Sequence, residues 1–188
     1  MDRREALQRV GILMGGALSA PLMSGVLSGC QPAAEGGSYA YQTLTGDQVE
    51  QVATIAEMII PTTDTPGARA VGVHEFVDLM LTDWYPDEDR TRFLDGLADV
   101  DARSQSAHGK RFLDCSDEER VEVLTELDQA AYSGGGQGGA PFFRMMKELT
   151  LTGYYTSEIG ATQELQYVHE AGVYRGDVPY SEIGRAYA

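Results

Sequence analysis

At 188 residues and 43% hydrophobic content, the chain can build one ordinary domain with a genuine core, plus a leader and a linker. Its formal charge of −15 and its pI near 4.4 exclude ordinary binding to phosphate backbones. They also exclude holding an anionic membrane by charge alone, and they are compatible with a basic protein partner or with solubility.

The first 29 residues read as an export signal. Arg3 and Arg4 form a twin-arginine pair, and an uncharged stretch follows from Val10 to Leu27. An uncleaved membrane span of that length is the alternative, weakened by Pro21 and four glycines, Gly11, Gly15, Gly16 and Gly25. The stretch ends Leu27-Ser28-Gly29-Cys30, a lipobox pattern. Small residues before the cysteine give a signal peptidase access, and the Cys30 sulfur takes the diacylglyceryl group. Two or three acyl chains then hold the protein firmly, at about 0.8 kcal/mol per buried CH₂. Cleavage before Cys30 removes Arg3, Arg4, Arg9, Asp2 and Glu5, so the mature chain is more acidic still. Only Cys115 then remains as a thiol, which precludes an internal disulfide even in an oxidising compartment. Acidic neighbours at 117–119 argue that this thiol is unreactive.

Residues 30–43 read as a flexible tether and 44–188 as the domain. Thr45 with Gln48 makes a capping-box pattern that opens a first helix carrying Val52, Ala56 and Ile59 inward, and Pro61 ends it. A second helix follows from the stripe Val73, Phe76, Val77, Met80, Leu81 and Trp84, which is expected to face the core, with Pro86 as its stop. A third runs from about Asp87 to Ser106, with Phe93, Leu94, Leu97 and Val100 inward. Ser116 with Glu119 opens a fourth, with Val121, Leu124, Leu127 and Ala131 inward. Residues 133–139 are a glycine-rich loop, and Pro141 opens a fifth helix with Phe142, Met145, Met146 and Leu149. A short helix is expected around 161–170 and irregular structure beyond. With no useful β alternation, the fold class is all-α: an irregular bundle of about five to six helices.

Local chemistry is sparse. His74, His108 and His169 lack metal-ligand spacing and read as surface or capping histidines. The glycines of 134–139 lack the Lys-Ser/Thr pair and the preceding strand of a P-loop, and no dinucleotide, serine-hydrolase or covalent-haem motif is present. Acidic pairs such as Asp87/Asp89 and Glu118/Glu119 stand at helix starts, where they complement the dipole. No catalytic, cofactor or metal residue is therefore assigned.

Two segments stand out. The first is Ile60-Pro61-Thr62-Thr63-Asp64-Thr65-Pro66-Gly67-Ala68, a turn-rich loop that serves either as a structural turn or as a partner contact. The second runs from Phe142-Phe143 through Lys147 to Gly153-Tyr154-Tyr155-Thr156-Ser157-Glu158, whose tyrosines suit either the core or an interface. Together they resemble the signatures of the gluconate 2-dehydrogenase subunit 3 family, and the resemblance runs from about Leu44 to Gly176. The resemblance implies a small, non-catalytic subunit that partners a large FAD-containing subunit of the glucose–methanol–choline type. A cytochrome c subunit carrying haem c commonly receives the electrons, and substrates are sugars or polyols. The implied role is to support folding, stability and twin-arginine export of the large subunit, on the periplasmic side of the envelope, with Cys30 as a lipid anchor to the membrane. Thr62, Asp64, Pro66, Phe143, Tyr154, Tyr155 and Glu158 are the candidate partner interface. Two alternatives stand beside it: a free-standing envelope lipoprotein with a binding role, and an enzyme acting through its own carboxylates.

Overall fold

The capping box at Thr45 opens the first helix, α1 (Gly46–Ile59), with Gln48 Oε1 accepting the Thr45 amide at 2.9 Å. This computed structural model describes residues 39–133, 141–169, 172 and 176–187. The others include Arg3, Arg4, Cys30 and most of the glycine-rich loop, which lie outside the described residues. Helices α2 (Val73–Asp83), α3 (Asp87–His108), α4 (Asp117–Ser133) and α5 (Phe142–Tyr155) follow, with a short 3₁₀ turn at Phe112–Asp114 between α3 and α4. Ser116 and Glu119 form the second expected reciprocal cap. The Ser116 amide donates to Glu119 Oε2 at 2.8 Å, and the Glu119 amide donates to Ser116 Oγ at 3.3 Å. The described residues contain helices and one isolated parallel bridge, Gln166 with Tyr187, and no strand.

Helix α5 is the hub. It packs on α1, α2, α3 and α4 and buries Phe142, Phe143, Met145, Met146, Leu149 and Tyr154. Helix α3 approaches it closely at Gly96, where a Cβ would fall 2.1 Å from Phe142 Cγ, so only glycine fits. Val52, Ile55, Val77, Leu81, Phe93, Leu97 and Val100 complete the centre. At about 25 cal/mol per Å² of apolar surface removed from water, such side chains supply the main driving force.

Asp78 performs a job that periodicity does not reveal. This fully buried carboxylate accepts the amides of Gln42, Thr43 and Leu44 at 2.8–3.0 Å. It therefore fixes the incoming chain to α2 before α1 begins. Tyr41 stacks on His74 beside it.

Several expectations need correction. Trp84 does not continue the buried stripe of α2: it stands at the C-cap, just past the last helical residue Asp83, and is 76% exposed. Val121 is likewise outward at 53% exposure, because Val123 takes the inward position with Leu124 and Leu127. The expected helix at 161–170 is a single π-helical turn, Gly160–Glu164, broken where Leu165 becomes extended. The terminal region holds one short helix, α6 (Tyr180–Ile183).

Candidate functional site

Pro61 ends α1, and the loop beyond it is organised by one carboxylate. Glu57 Oε1 accepts the Thr62 amide at 2.9 Å and the Thr62 hydroxyl at 2.7 Å, while Oε2 accepts the Arg69 amide at 3.0 Å. The Thr62 hydroxyl oxygen in turn accepts the Gly67 amide at 3.0 Å, and Ala68 N–H returns to the Ile60 carbonyl. Gly67 is required by this closeness: a Cβ there would stand 2.5 Å from both Glu57 oxygens and the Thr62 nitrogen. Partial burial pushes the Glu57 carboxyl up, but the hydrogen bonds from Arg69 and Thr62, together with the Arg69 charge, outweigh it and hold the group below its ordinary 4.5.

The second segment is stapled onto the first. Tyr154, 1% exposed, donates its hydroxyl to the Pro66 carbonyl at 2.9 Å and lies 3.3 Å from Thr65 Oγ1. Thr65 Oγ1 donates to Glu164 Oε2 at 2.9 Å in the π-helical turn. Gly160 permits the return, since a Cβ there would stand 2.0 Å from the Tyr154 carbonyl oxygen. The structure thus brings Thr62, Asp64, Pro66 and Tyr154 to one end of the bundle, joining two segments 88 residues apart. Thr62, Asp64, Tyr155 and Glu158 present surface, Pro66 is half-buried, and Phe143 and Tyr154 belong to the core.

Beside the loop runs a groove lined by Glu50, Glu57, Met58, Arg69 and Arg120. Its cations are already satisfied. Arg69 pairs with Glu50 at 2.8 Å and donates to Thr54 Oγ1, while Arg120 pairs with Asp117 and donates to the carbonyls of Phe112 and Leu113. A dinucleotide's diphosphate would meet carboxylates here and no spare cation, so this groove does not fit FAD. A shallower apolar depression of about 300 Å³ adjoins it, lined by Met58, Val121, Leu124, Phe143 and Lys147.

A different region escaped sequence reasoning. Helices α2 and α5 pack through Phe76 and Gly153, where a Cβ would fall 2.7 Å from the Phe76 ring. Burial, with the charges of Glu148 and Asp89 beside it, raises the Tyr85 pKa. Leu79 and Trp84 on and just after α2, and Leu151 and Tyr155 on α5, are large apolar or aromatic side chains left exposed. Their exposures are 42%, 76%, 44% and 37%. The signal that could have found Leu79 is its position opposite Val73, Val77 and Leu81 on α2.

The remaining chemistry is structural. Cys115 is buried, and that burial, aided by Glu119, raises its pKa, consistent with an inert thiol. His74 is neither a surface nor a capping residue: it is half-buried under Tyr41, and burial lowers its pKa. His108 stands in the last turn of α3, ahead of the Gly109 C-cap, near Glu119 and Glu122. Among the described residues no cluster of His, Cys, Asp and Glu could hold a metal ion, and no helix is long and apolar enough to cross a membrane.

The described residues form an all-α bundle whose Pro61–Ala68 loop is tied to the end of its last long helix. The gluconate 2-dehydrogenase subunit 3 model matches residues 46–172, and the chain belongs to that family. The match begins with α1 and runs past the π-helical turn, so it contains both stapled segments. No curated protein and no solved structure matches the chain at a significant level.

Proposed function

We propose that this chain is the accessory subunit of a membrane-associated, FAD-dependent sugar or polyol dehydrogenase. In this reading it binds the large glucose–methanol–choline-type subunit, stabilises it, and supplies the twin-arginine signal that carries the folded complex across the membrane. The lipid on Cys30 tethers the complex on the periplasmic side of the envelope. The flavin sits in the large subunit, and a cytochrome c subunit takes the electrons. Family membership over residues 46–172 carries the reading. Two features support it: a groove whose cations are already paired, and exposed aromatic side chains of the kind that anchor protein interfaces.

The test is to purify the full-length chain from its native envelope and record the absorption spectrum, then repeat with Arg3→Lys and Arg4→Lys together. The proposal expects flavin bands with the wild-type chain, and loss of the large subunit from the envelope in the double variant. A preparation without flavin would instead favour a free-standing lipoprotein.

A further inference from the structure

We propose that the groove between α1 and α4 is the seat of one amphipathic helix of the large flavoprotein subunit, apolar on the side that enters and carrying Lys or Arg along the edge that meets α4. This rests on the accessory-subunit reading above.

Three observations carry it. The first is the shape of the slot. Helices α1 and α4 both pack on α5 but scarcely on each other, so a space opens between them. The two hollows described above share Met58 and Val121 and form one groove. Its walls are lines at helical spacing: Glu50, Thr54, Glu57 and Met58 on α1, and Asp117, Val121, Leu124 and Asp128 on α4. From Asp117 to Asp128 the α4 wall runs about 16 Å, at roughly 1.5 Å per residue, the length of three helical turns. A trough walled by two helices over a third accepts a further helix, its side-chain ridge entering first.

The second is composition. Met58, Leu124 and Phe143 give the groove an apolar floor, and Val121 stands beside it 53% exposed. Tyr132, three turns beyond Val121 on the same line of α4, is 62% exposed. Lys147 is bound to Asp128 at 2.9 Å and lies over the Tyr132 and Phe143 rings. With Arg69 and Arg120 also paired, every cation lining the groove is already answered. An apolar floor between answered charges suits apolar side chains and not a phosphate or carboxylate group.

The third is charge at the rim, and it selects the occupant. Helix α4 carries six carboxylates and one arginine. Thr125 lines the groove, and Glu118 and Glu122 share its edge of the helix at i,i+4 and i,i+3 spacing. Among the described residues neither glutamate is paired with a lysine or arginine. Glu118 meets the Ser116 hydroxyl, and Glu122 stands 3.7 Å from the His108 ring. A helix with Lys or Arg beside its apolar stripe is steered to that edge. A second copy of this chain is opposed there, because at −15 it would set carboxylates against carboxylates. The groove anchors the interface without exhausting it, since stable interfaces bury about 1,600 Å² in all. Exposed side chains outside it, Trp84 among them, remain for further contact.

The experiment places the photo-crosslinking residue benzoylphenylalanine at Val121 or, separately, at Gln105, which is exposed on α3 and outside the groove. The full-length chain is co-expressed with the FAD subunit that co-purifies with wild type, illuminated, and the adducts are mapped by mass. The expected result is a flavoprotein adduct from position 121 and none from 105. The adduct peptide should carry apolar residues at i, i+3 or i+4, and i+7, with Lys or Arg beside them. In parallel, Val121→Glu and Thr125→Trp, both at exposed positions, are each expected to reduce the retained flavin about tenfold, with an unchanged melting temperature. Four outcomes overturn the inference while leaving the accessory role intact. They are no flavoprotein adduct from 121 (including reaction only within this chain or with a second copy), equal adducts from 121 and 105, an adduct peptide without that pattern, or full flavin retention by both variants. Absence of a flavoprotein from the wild-type preparation overturns the accessory reading itself.

Discussion

On α3 and α4 the surface charges answer one another within the same helix. Arg90 pairs with Asp87, Arg92 with Glu88 and Asp89, Arg103 with Asp99, and Arg120 with Asp117. On α2 the exposed positions are Leu79 and Asp83, which forms no ion pair among the described residues, followed by Trp84. On the first surface these i,i+3 and i,i+4 pairs answer every arginine, although acidic residues still outnumber the arginines on both helices. The second has no lysine or arginine at all, and its one buried carboxylate, Asp78, is spent on backbone amides. The contrast teaches that carboxylates do two jobs in this chain: on α3 and α4 they hold arginines at the surface, and on α2 one of them holds the backbone of the incoming chain.

Substitutions can break or sharpen that contrast. Asp78→Ala has the largest expected effect on stability, about 2–3 kcal/mol, since it strips the acceptor from three amides, one of them buried. Chemical denaturation measures the loss, and hydrogen exchange should localise it to residues 42–44 and α2. Tyr154→Phe removes one hydrogen bond to Pro66 and should cost about 1 kcal/mol, visible as a lower melting temperature with α2 undisturbed.

Glu57 gives a pH signature. Its folded-state carboxyl lies below 4.5, so the stabilisation it gives the loop is full above that value and fades as pH falls through the lower folded-state value. Amide protection at Gly67 and Arg69 should drop in acid for the wild-type chain. In Glu57→Gln the same amides should exchange severalfold faster at neutral pH and show no such acid step. The smallest effect belongs to the arginine-paired surface. Arg103→Ala removes an exposed pair with Asp99 and should change stability by no more than about 0.5 kcal/mol, with flavin retention unaffected. Loss of the partner in that variant would move the docking surface to α3.

What could be read in the sequence was local. Thr45 with Gln48 and Ser116 with Glu119 announce their helices because each cap is complete within four residues. Pro61, Pro86 and Pro141 mark boundaries through backbone sterics that need no tertiary partner. Asp78 and Glu57 look like any other carboxylates in an acidic chain, because the amides that define them come from chain 34–36 residues away or from a loop whose path is unknown beforehand. Tyr154 was a named candidate, but only the fold shows that its hydroxyl ends on Pro66 and its ring in the core. Trp84 misled for a definite reason. Its phase on α2 is inward and its amide still bonds to the Met80 carbonyl, yet it caps the very end of the helix and is left 76% exposed.

Because Trp84 is the sole tryptophan, one label reports on its surroundings directly. The chain would be produced with 5-fluorotryptophan and its single ¹⁹F resonance followed while the purified FAD subunit is added. The account predicts a solvent-exposed signal in the isolated chain, seen as a large H₂O/D₂O isotope shift. On complex formation the resonance should move and the isotope shift should collapse. A complex that forms while the resonance and its isotope shift stay unchanged would contradict a contact of Trp84 with the FAD subunit.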